Sequence, residues 1–178
     1  MTIAEEFTEF AVAASPRLRR TAFLLCGDWH TAEDLAQATL AKMFVYWRRL
    51  RRRDAADAYA MRTLVNTYLA GRRGKQAGEL LTGALPDRPA QPEQSELRLV
   101  VLGALATLPP SSRAIVVLRY WEDQSVEQVA ALLGCSEGNV KSQSAGALRK
   151  LRELLGDAAV ESCSPGRPPA GRAETKEA

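Results

Sequence analysis

The chain has 178 residues, 46% hydrophobic and 25% charged, with 24 Lys+Arg against 21 Asp+Glu. That is the composition of one medium soluble domain or two small ones. The longest uncharged stretch, Leu99 to Ser112, is 14 residues, short of the ~20 that a membrane-spanning helix needs. The start, with Glu5, Glu6 and Glu9, lacks the basic patch of a secretory signal. Cys26, Cys135 and Cys163 are too widely spaced for a disulfide framework, so a reducing cytoplasm is the expected compartment.

In chain order, the first clear helical stripe is Leu40, Met43, Phe44 and Trp47, at i, i+3, i+4 and i+7. The helix is expected to begin near Thr31, whose hydroxyl can cap it ahead of Glu33 and Asp34. The run Arg48-Arg-Leu-Arg-Arg-Arg53 follows, between Tyr46, Trp47 and Tyr59. Residues 48–75 hold nine basic and only two acidic side chains. Cations interleaved with aromatics suit a strand of unstacked bases; the bland alternative is a solvated charge run. A second helix over Asp57 to Arg73 places Met61, Leu64, Val65 and Tyr68 on one face. Arg62, Asn66, Arg72, Arg73 and Lys75 add a second basic line.

Gly74 to Gln94 holds three Gly, three Pro and three Gln without sustained periodicity and reads as an extended linker. Beyond it, helices are expected over 96–107, 112–121, 126–133 and 137–155. Residues 157–178 read as a disordered Ser/Pro/Gly/Ala-rich tail. Strand-like alternation is nearly absent. The expected class is all-α, with two small helical domains at 3–73 and 95–156.

The most informative segment runs from Ser125 to Lys141. Ser125 and Gln128 have capping-box spacing, and Gly134 can supply the left-handed residue that ends a helix. Ser136 can cap the next helix, Ala130 is small where two helices approach closely, and Val140 returns to the core. This is a helix-turn-helix pattern. Its second helix would expose Asn139, Lys141, Ser142, Gln143 and Arg149, side chains suited to base edges and phosphates in a major groove. The competing reading is an ordinary helical hairpin with a polar outer face.

Catalysis finds little support. His30 is the single histidine, and Cys26 with His30 has no further zinc ligand nearby. No Gly-rich phosphate loop is present, so no catalytic residue, metal or cofactor is expected. A stand-alone helix-turn-helix regulator explains the second half of the chain but leaves the arginine run and the long linker without a role.

Four stretches carry a resemblance: Ala32-Glu-Asp-Leu-Ala-Gln37; Tyr59-Ala-Met-Arg-Thr-Leu-Val-Asn66; Leu108-Pro-Pro-Ser-Ser-Arg113 through Asp123; and Gly134 through Gln143 with Leu148 and Leu151. In their order and spacing the chain resembles the extracytoplasmic-function sigma factors of bacterial RNA polymerase, in particular the SigE-type actinobacterial branch. The resemblance implies core-polymerase binding through Asp34, Leu35 and Gln37 on the beta-prime clamp, with the beta flap as a further contact. It implies that Arg48, Arg51, Arg52, Arg53, Arg62, Asn66, Arg72, Arg73 and Lys75 open and hold the promoter −10 element. Ser136, Asn139, Lys141, Ser142, Gln143 and Arg149 would read the −35 element. Promoter DNA and core polymerase are the implied partners, an anti-sigma factor is a further one to be tested, and no membrane is involved. The chain departs from the family pattern at Ala38, Gly71 and Gly146, where relatives often carry Glu, Trp and Arg.

Overall fold

The computed structural model describes residues 2–50, 55–78 and 96–156, which form helices α1 (Ile3–Cys26), α2 (Trp29–Trp47), α3 (Ala56–Gly78), α4 (Glu96–Ala106), α5 (Pro110–Val116), α6 (Val126–Leu133) and α7 (Glu137–Leu155). A π-helical turn, Val117–Trp121, continues α5. No strand occurs among the described residues, as the all-α reading expects.

The sequence reading did not single out α1, although it is 24 residues long. A reciprocal cap starts it: the Thr2 hydroxyl accepts from Glu5 N–H at 3.2 Å, and the Glu5 carboxylate accepts from Thr2 N–H at 2.6 Å. Pro16 sits inside the helix, where it removes one backbone donor. Packing outweighs that loss, because Ala14, Leu18, Thr21, Ala22 and Leu25 are all buried along one side. Gly27, at φ 86°, ends the helix with its N–H on the Phe23 carbonyl.

The start of α2 corrects the expectation of a Thr31 cap. Asp28 is the cap, its carboxylate accepting from Thr31 N–H at 2.8 Å, so the helix begins two residues earlier, at Trp29. Met43 and Trp47 are buried as their stripe predicts, but Phe44 is 53% exposed. It meets Phe7 edge-on at 5.1 Å instead of entering the core. Trp47 lies against Phe7 and Phe10, with ring centroids 5.2 and 4.9 Å away. The expected face of α3 is buried in full: Met61, Leu64, Val65 and Tyr68. This helix runs through Gly78, past the expected linker start at Gly74. A single helical glycine costs only ~1 kcal/mol, and Lys75, Gln76 and Ala77 favour helix. Residues 79–94 and 157–178, read as linker and tail, lie outside the described residues.

In the second half, Pro110 occupies the first turn of α5, where its missing N–H is harmless. The single helix expected over 112–121 is an α-helix that passes into the π-turn. α6 and α7 match their expected bounds. Leu105, Leu108, Val116, Ala147 and Leu151 form one apolar cluster. Ile115, Leu118, Val129 and Val140 belong to a second, which continues into Leu25, Leu64 and Val65 of the first half. Two charged side chains also cross between the halves. Arg113, 7% exposed, donates to the carbonyls of Ala106 (2.7 Å) and, at the end of α1, Leu25 (2.8 Å). Glu122 accepts from Arg17 at 2.7 Å and from the Thr21 hydroxyl. Burial pulls the Arg113 pKa down and pushes that of Tyr68 up, while the Arg113 charge pulls Tyr68 back.

Candidate functional site

Three surfaces gather the candidate residues. The first is the outer side of α2, where Asp34 and Gln37 are both exposed. Their i, i+3 spacing puts them side by side. The Asp34 carboxylate lies 3.8 Å from His30 Nε2, with both side chains open to water. Ala38, Ala41 and Val45 continue this side by helical period, and Val45 is 71% exposed. Leu35 does not belong to it. At 8% exposure it packs in the core and supports the face from beneath, which corrects its expected place in the contact set.

The second surface lies between α2 and α3. A cleft of about 250 Å³ is lined by Lys42, Tyr46, Tyr59, Thr63, Asn66, Thr67 and Ala70. Lys42 Nζ donates to the Thr67 hydroxyl at 2.9 Å, which holds a cation at the cleft wall. Arg48, Arg62 and Arg73 are exposed on the same two helices. Arg72 is half-buried with its guanidinium 5.6 Å from the Tyr68 ring centroid, a cation–π contact that ties it to the protein surface. Arg51, Arg52 and Arg53 lie outside the described residues, as does the side chain of Lys75. Trp47, expected beside them as a stacking ring, is buried at 3% exposure. Tyr46 and Tyr59 are the rings left at the cleft. Lys42, Thr63 and Thr67 went unnoticed in the sequence; the i, i+4 threonines beside Asn66 were the available signal.

The third surface is built by α6 and α7. Ser125 and Gln128 form the expected capping box, with bonds of 2.7 and 3.0 Å. Gly134 takes φ 66°, ψ 38°, and Cys135 N–H returns to the Ala130 carbonyl at 3.0 Å. The Ser136 hydroxyl accepts from Asn139 N–H at 3.2 Å and so starts α7. Val140 is fully buried and Ala130 nearly so. The turn therefore has the form its spacing implies.

Outward from α7 stand Asn139, Lys141, Ser142 and Arg149, all exposed. Gln143 is half-buried: its Nε2 donates to Asn139 Oδ1 at 3.0 Å, and its Oε1 accepts from the Ser112 hydroxyl of α5 at 3.2 Å. Lys141 pairs with Glu137 at 3.6 Å across one turn. Lys150 is turned to structural use, its Nζ donating to the Thr107 carbonyl at 2.8 Å. A Cβ on Gly146 would meet nothing within 4 Å. The face offers hydrogen-bond donors and cations on a helix wide enough for a major groove, the chemistry of direct base readout.

Among the described residues no three His, Cys, Asp or Glu side chains gather as a metal site. No helix there is long and apolar enough to cross a membrane. Cys26 and Cys135 are half-buried, and Cys163 lies outside the described residues.

An all-α chain with a capped helix-turn-helix and a separate basic, tyrosine-lined cleft is built as a nucleic-acid-binding protein. Residues 11–77 match the model of sigma-70 region 2, and residues 104–153 that of sigma-70 region 4. The chain is 38% identical over 152 residues to the RNA polymerase sigma-E factor of Streptomyces coelicolor, covering 84% of this chain and 86% of that one. It is 34% identical over 148 residues to the ECF RNA polymerase sigma factor SigE of Mycolicibacterium smegmatis, covering 78% of this chain and 57% of that protein. Among solved structures it is similar to the sigma factor RpoE of Bartonella quintana in complex with the anti-sigma factor NepR. That match has a TM-score of 0.68 and 27% identity, over 85% of this chain and 97% of the other. The chain belongs to the sigma-70 family of RNA polymerase sigma factors, in the extracytoplasmic-function group.

Proposed function

We propose that this chain binds core RNA polymerase and directs it to promoters, with residues up to Gly78 docking the polymerase and holding the opened −10 element and residues 96–156 reading the −35 element. The observation that supports this most is the co-occurrence of two nucleic-acid surfaces of different character. The α6–α7 unit suits a duplex groove. The α2–α3 cleft, with Tyr46, Tyr59, Asn66 and surrounding arginines, suits unstacked bases. A regulator that binds duplex DNA alone has use for only the first.

On this reading Asp34 and Gln37 meet the beta-prime clamp, and the second half meets the beta flap. The chain works in the cytoplasm without cofactor or catalytic residue, its chemistry being that of the polymerase it guides. The likeness to RpoE bound to NepR supports an anti-sigma factor as a further partner.

The deciding experiment adds the purified chain to core polymerase on genomic promoter fragments. Transcripts that start at defined sites and need both components are expected. Specific binding to duplex DNA without polymerase, and no transcript with it, would replace this reading with that of a stand-alone helix-turn-helix regulator.

A further inference from the structure

Arg113 is a buried cation whose hydrogen bonds go to carbonyls, those of Leu25, Ala106 and Leu108. Among the described residues no carboxylate pairs with it. Arg72, half-buried on α3, brings a second guanidinium within electrostatic reach and pulls the Arg113 pKa further down. A buried charge is strongly unfavourable without a counter-charge. Two groups near Arg113 can carry one: Tyr68 of α3 and Cys26, the last residue of α1. Cys26 follows Leu25, whose carbonyl accepts from Arg113 Nη1 at 2.8 Å. Negative charge on Cys26 raises the pKa of Arg113 and of Tyr68 alike. A thiolate there keeps the guanidinium charged and the phenol protonated.

Two buried donors in this cluster lack an acceptor, the Tyr68 hydroxyl and Arg113 Nε, on residues only 4% and 7% exposed. Buried donors are rarely left so in a folded protein, and those that are mark a place where an acceptor belongs. Cys26 is half-buried and packs against the apolar cluster that contains Tyr68. A Cβ on the neighbouring Gly27 would meet nothing within 4 Å, so this end of α1 is open to a small molecule. Burial and the carbonyl end of the helix act against a thiolate. Two guanidiniums act for it, and one of them already occupies the Leu25 carbonyl. Asp28, two residues on, has its carboxylate committed to Thr31 N–H at the start of α2.

We propose that Cys26 is a modification site for small hydroperoxides, a thiol activated by Arg113 whose oxidised form is held by the Tyr68 hydroxyl and Arg113 Nε. The thiolate sulfur attacks one oxygen of the peroxide. An S–O bond forms, the O–O bond breaks, and the leaving hydroxide takes a proton from solvent to become water. Sulfur gives up two electrons and the peroxide receives them. The sulfenic acid that results supplies the oxygen acceptor that both donors lack. A low-molecular-weight thiol reverses the change: it condenses with the S–OH group to a mixed disulfide with loss of water, and a second thiol molecule displaces Cys26 as the free thiol. None of these steps uses DNA or polymerase, so the site stands apart from the reading of this chain as a promoter-binding protein.

The test uses the full-length chain and its Cys26→Ser and Tyr68→Phe variants. Hydrogen peroxide is added with dimedone, which traps sulfenic acid, and peptide mass mapping reads each cysteine separately. Iodoacetamide alkylation across pH reports the thiolate alone. Cys26 should take the dimedone label at least tenfold faster than Cys135, which is equally half-buried. Its alkylation should be half-maximal below the pH of about 8.5 of a free thiol. Tyr68→Phe keeps the ring and removes an unsatisfied hydroxyl, so it should melt at or above the wild-type temperature. It should slow labelling by peroxide about three- to tenfold while alkylation stays within twofold, a split that a purely structural role would not produce. Labelling of Cys26 no faster than of Cys135, or a midpoint at or above that of a free thiol, overturns the proposal. Label that persists undiminished in Cys26→Ser overturns it as well. A Tyr68→Phe chain that oxidises at the wild-type rate overturns the part given to the hydroxyl.

Discussion

Gly146 gives the most direct handle on the proposed recognition of DNA by α7. It lies two turns beyond Asn139 and one beyond Ser142 by helical period, away from the buried line of Val140, Ser144, Ala147 and Leu151. A Cβ there meets open space, so Gly146→Ala should act through helix propensity alone, about 0.8–1 kcal/mol in favour of the folded state. For a chain of this size that raises Tm by about 2–4 °C. Gly146→Arg should give nearly the same Tm gain, since Arg ranks close to Ala in helices. It also adds a cation beside Asn139 and Ser142. One good contact to a phosphate or guanine edge is worth ~1–2 kcal/mol, so −35 duplex binding by the holoenzyme should tighten about tenfold. The alanine variant should gain much less. Fluorescence-anisotropy titrations of wild type and both variants, paired with thermal melts, separate the two contributions. Equal tightening by both would show that charge at this position does nothing. Weaker binding by both would mean that the bare backbone itself approaches the DNA.

Asp34→Ala combined with Gln37→Ala should weaken core-polymerase affinity at least tenfold, at ~1.5–3 kcal/mol per charge-assisted contact, while the melt stays unchanged because both side chains are exposed; equal titration curves would remove this face from the interface. Replacing Arg51, Arg52 and Arg53 with Ala should lower permanganate reactivity of −10 thymines and reduce the salt slope by roughly 0.7 per lost single-strand phosphate contact. Unchanged melting and slope would leave the run a solvated surface. Gly134→Ala should lower stability by about 1–2 kcal/mol, because φ 66° is a left-handed conformation that a Cβ opposes. An unaltered melt would mean that the turn relaxes freely.

What could be read from the sequence is what is local in the chain. The helix-turn-helix depends on caps and a left-handed glycine within a dozen residues, and Ser125, Gln128, Gly134 and Ser136 all behave as their spacing implies. The core face of α3 was equally clear, because Met61, Leu64, Val65 and Tyr68 are large and periodic. α1 was not, since its buried line includes Ala14, Thr21 and Ala22, small or polar residues that leave a weak hydrophobic stripe, and Pro16 interrupts it. The Thr2–Glu5 capping box was its one visible mark. Trp47 carries two signals, a place on the apolar stripe and a place beside the arginines; its neighbours in space, Phe7 and Phe10, nearly forty residues away, bear out the first and not the second. Leu35 was misplaced in a similar way: a motif names consecutive residues, but one helical turn divides them between surface and core. The contacts of Arg113 and Glu122 join residues 88 to 105 positions apart, and no local pattern announces them.

The bond from Ser112 to Gln143 and on to Asn139 has a consequence for how α7 meets a base pair. Flexible amide side chains normally surrender rotamer freedom when they grip DNA, at about 0.5–1.5 kcal/mol for each one immobilised. Here a hydroxyl on α5 orients the Gln143 amide, which in turn occupies the Asn139 oxygen, so both groups are set before any DNA arrives. With its oxygen taken, Asn139 has its amide N–H groups left to offer, and Lys141 and Arg149 elsewhere on the helix carry donors only. A pre-set array of donors favours base edges rich in acceptors, above all the O6 and N7 of guanine. On the proposed reading, the packing of α5 against α7 thus sets the polarity of the surface that the second half of this sigma factor would present to the major groove.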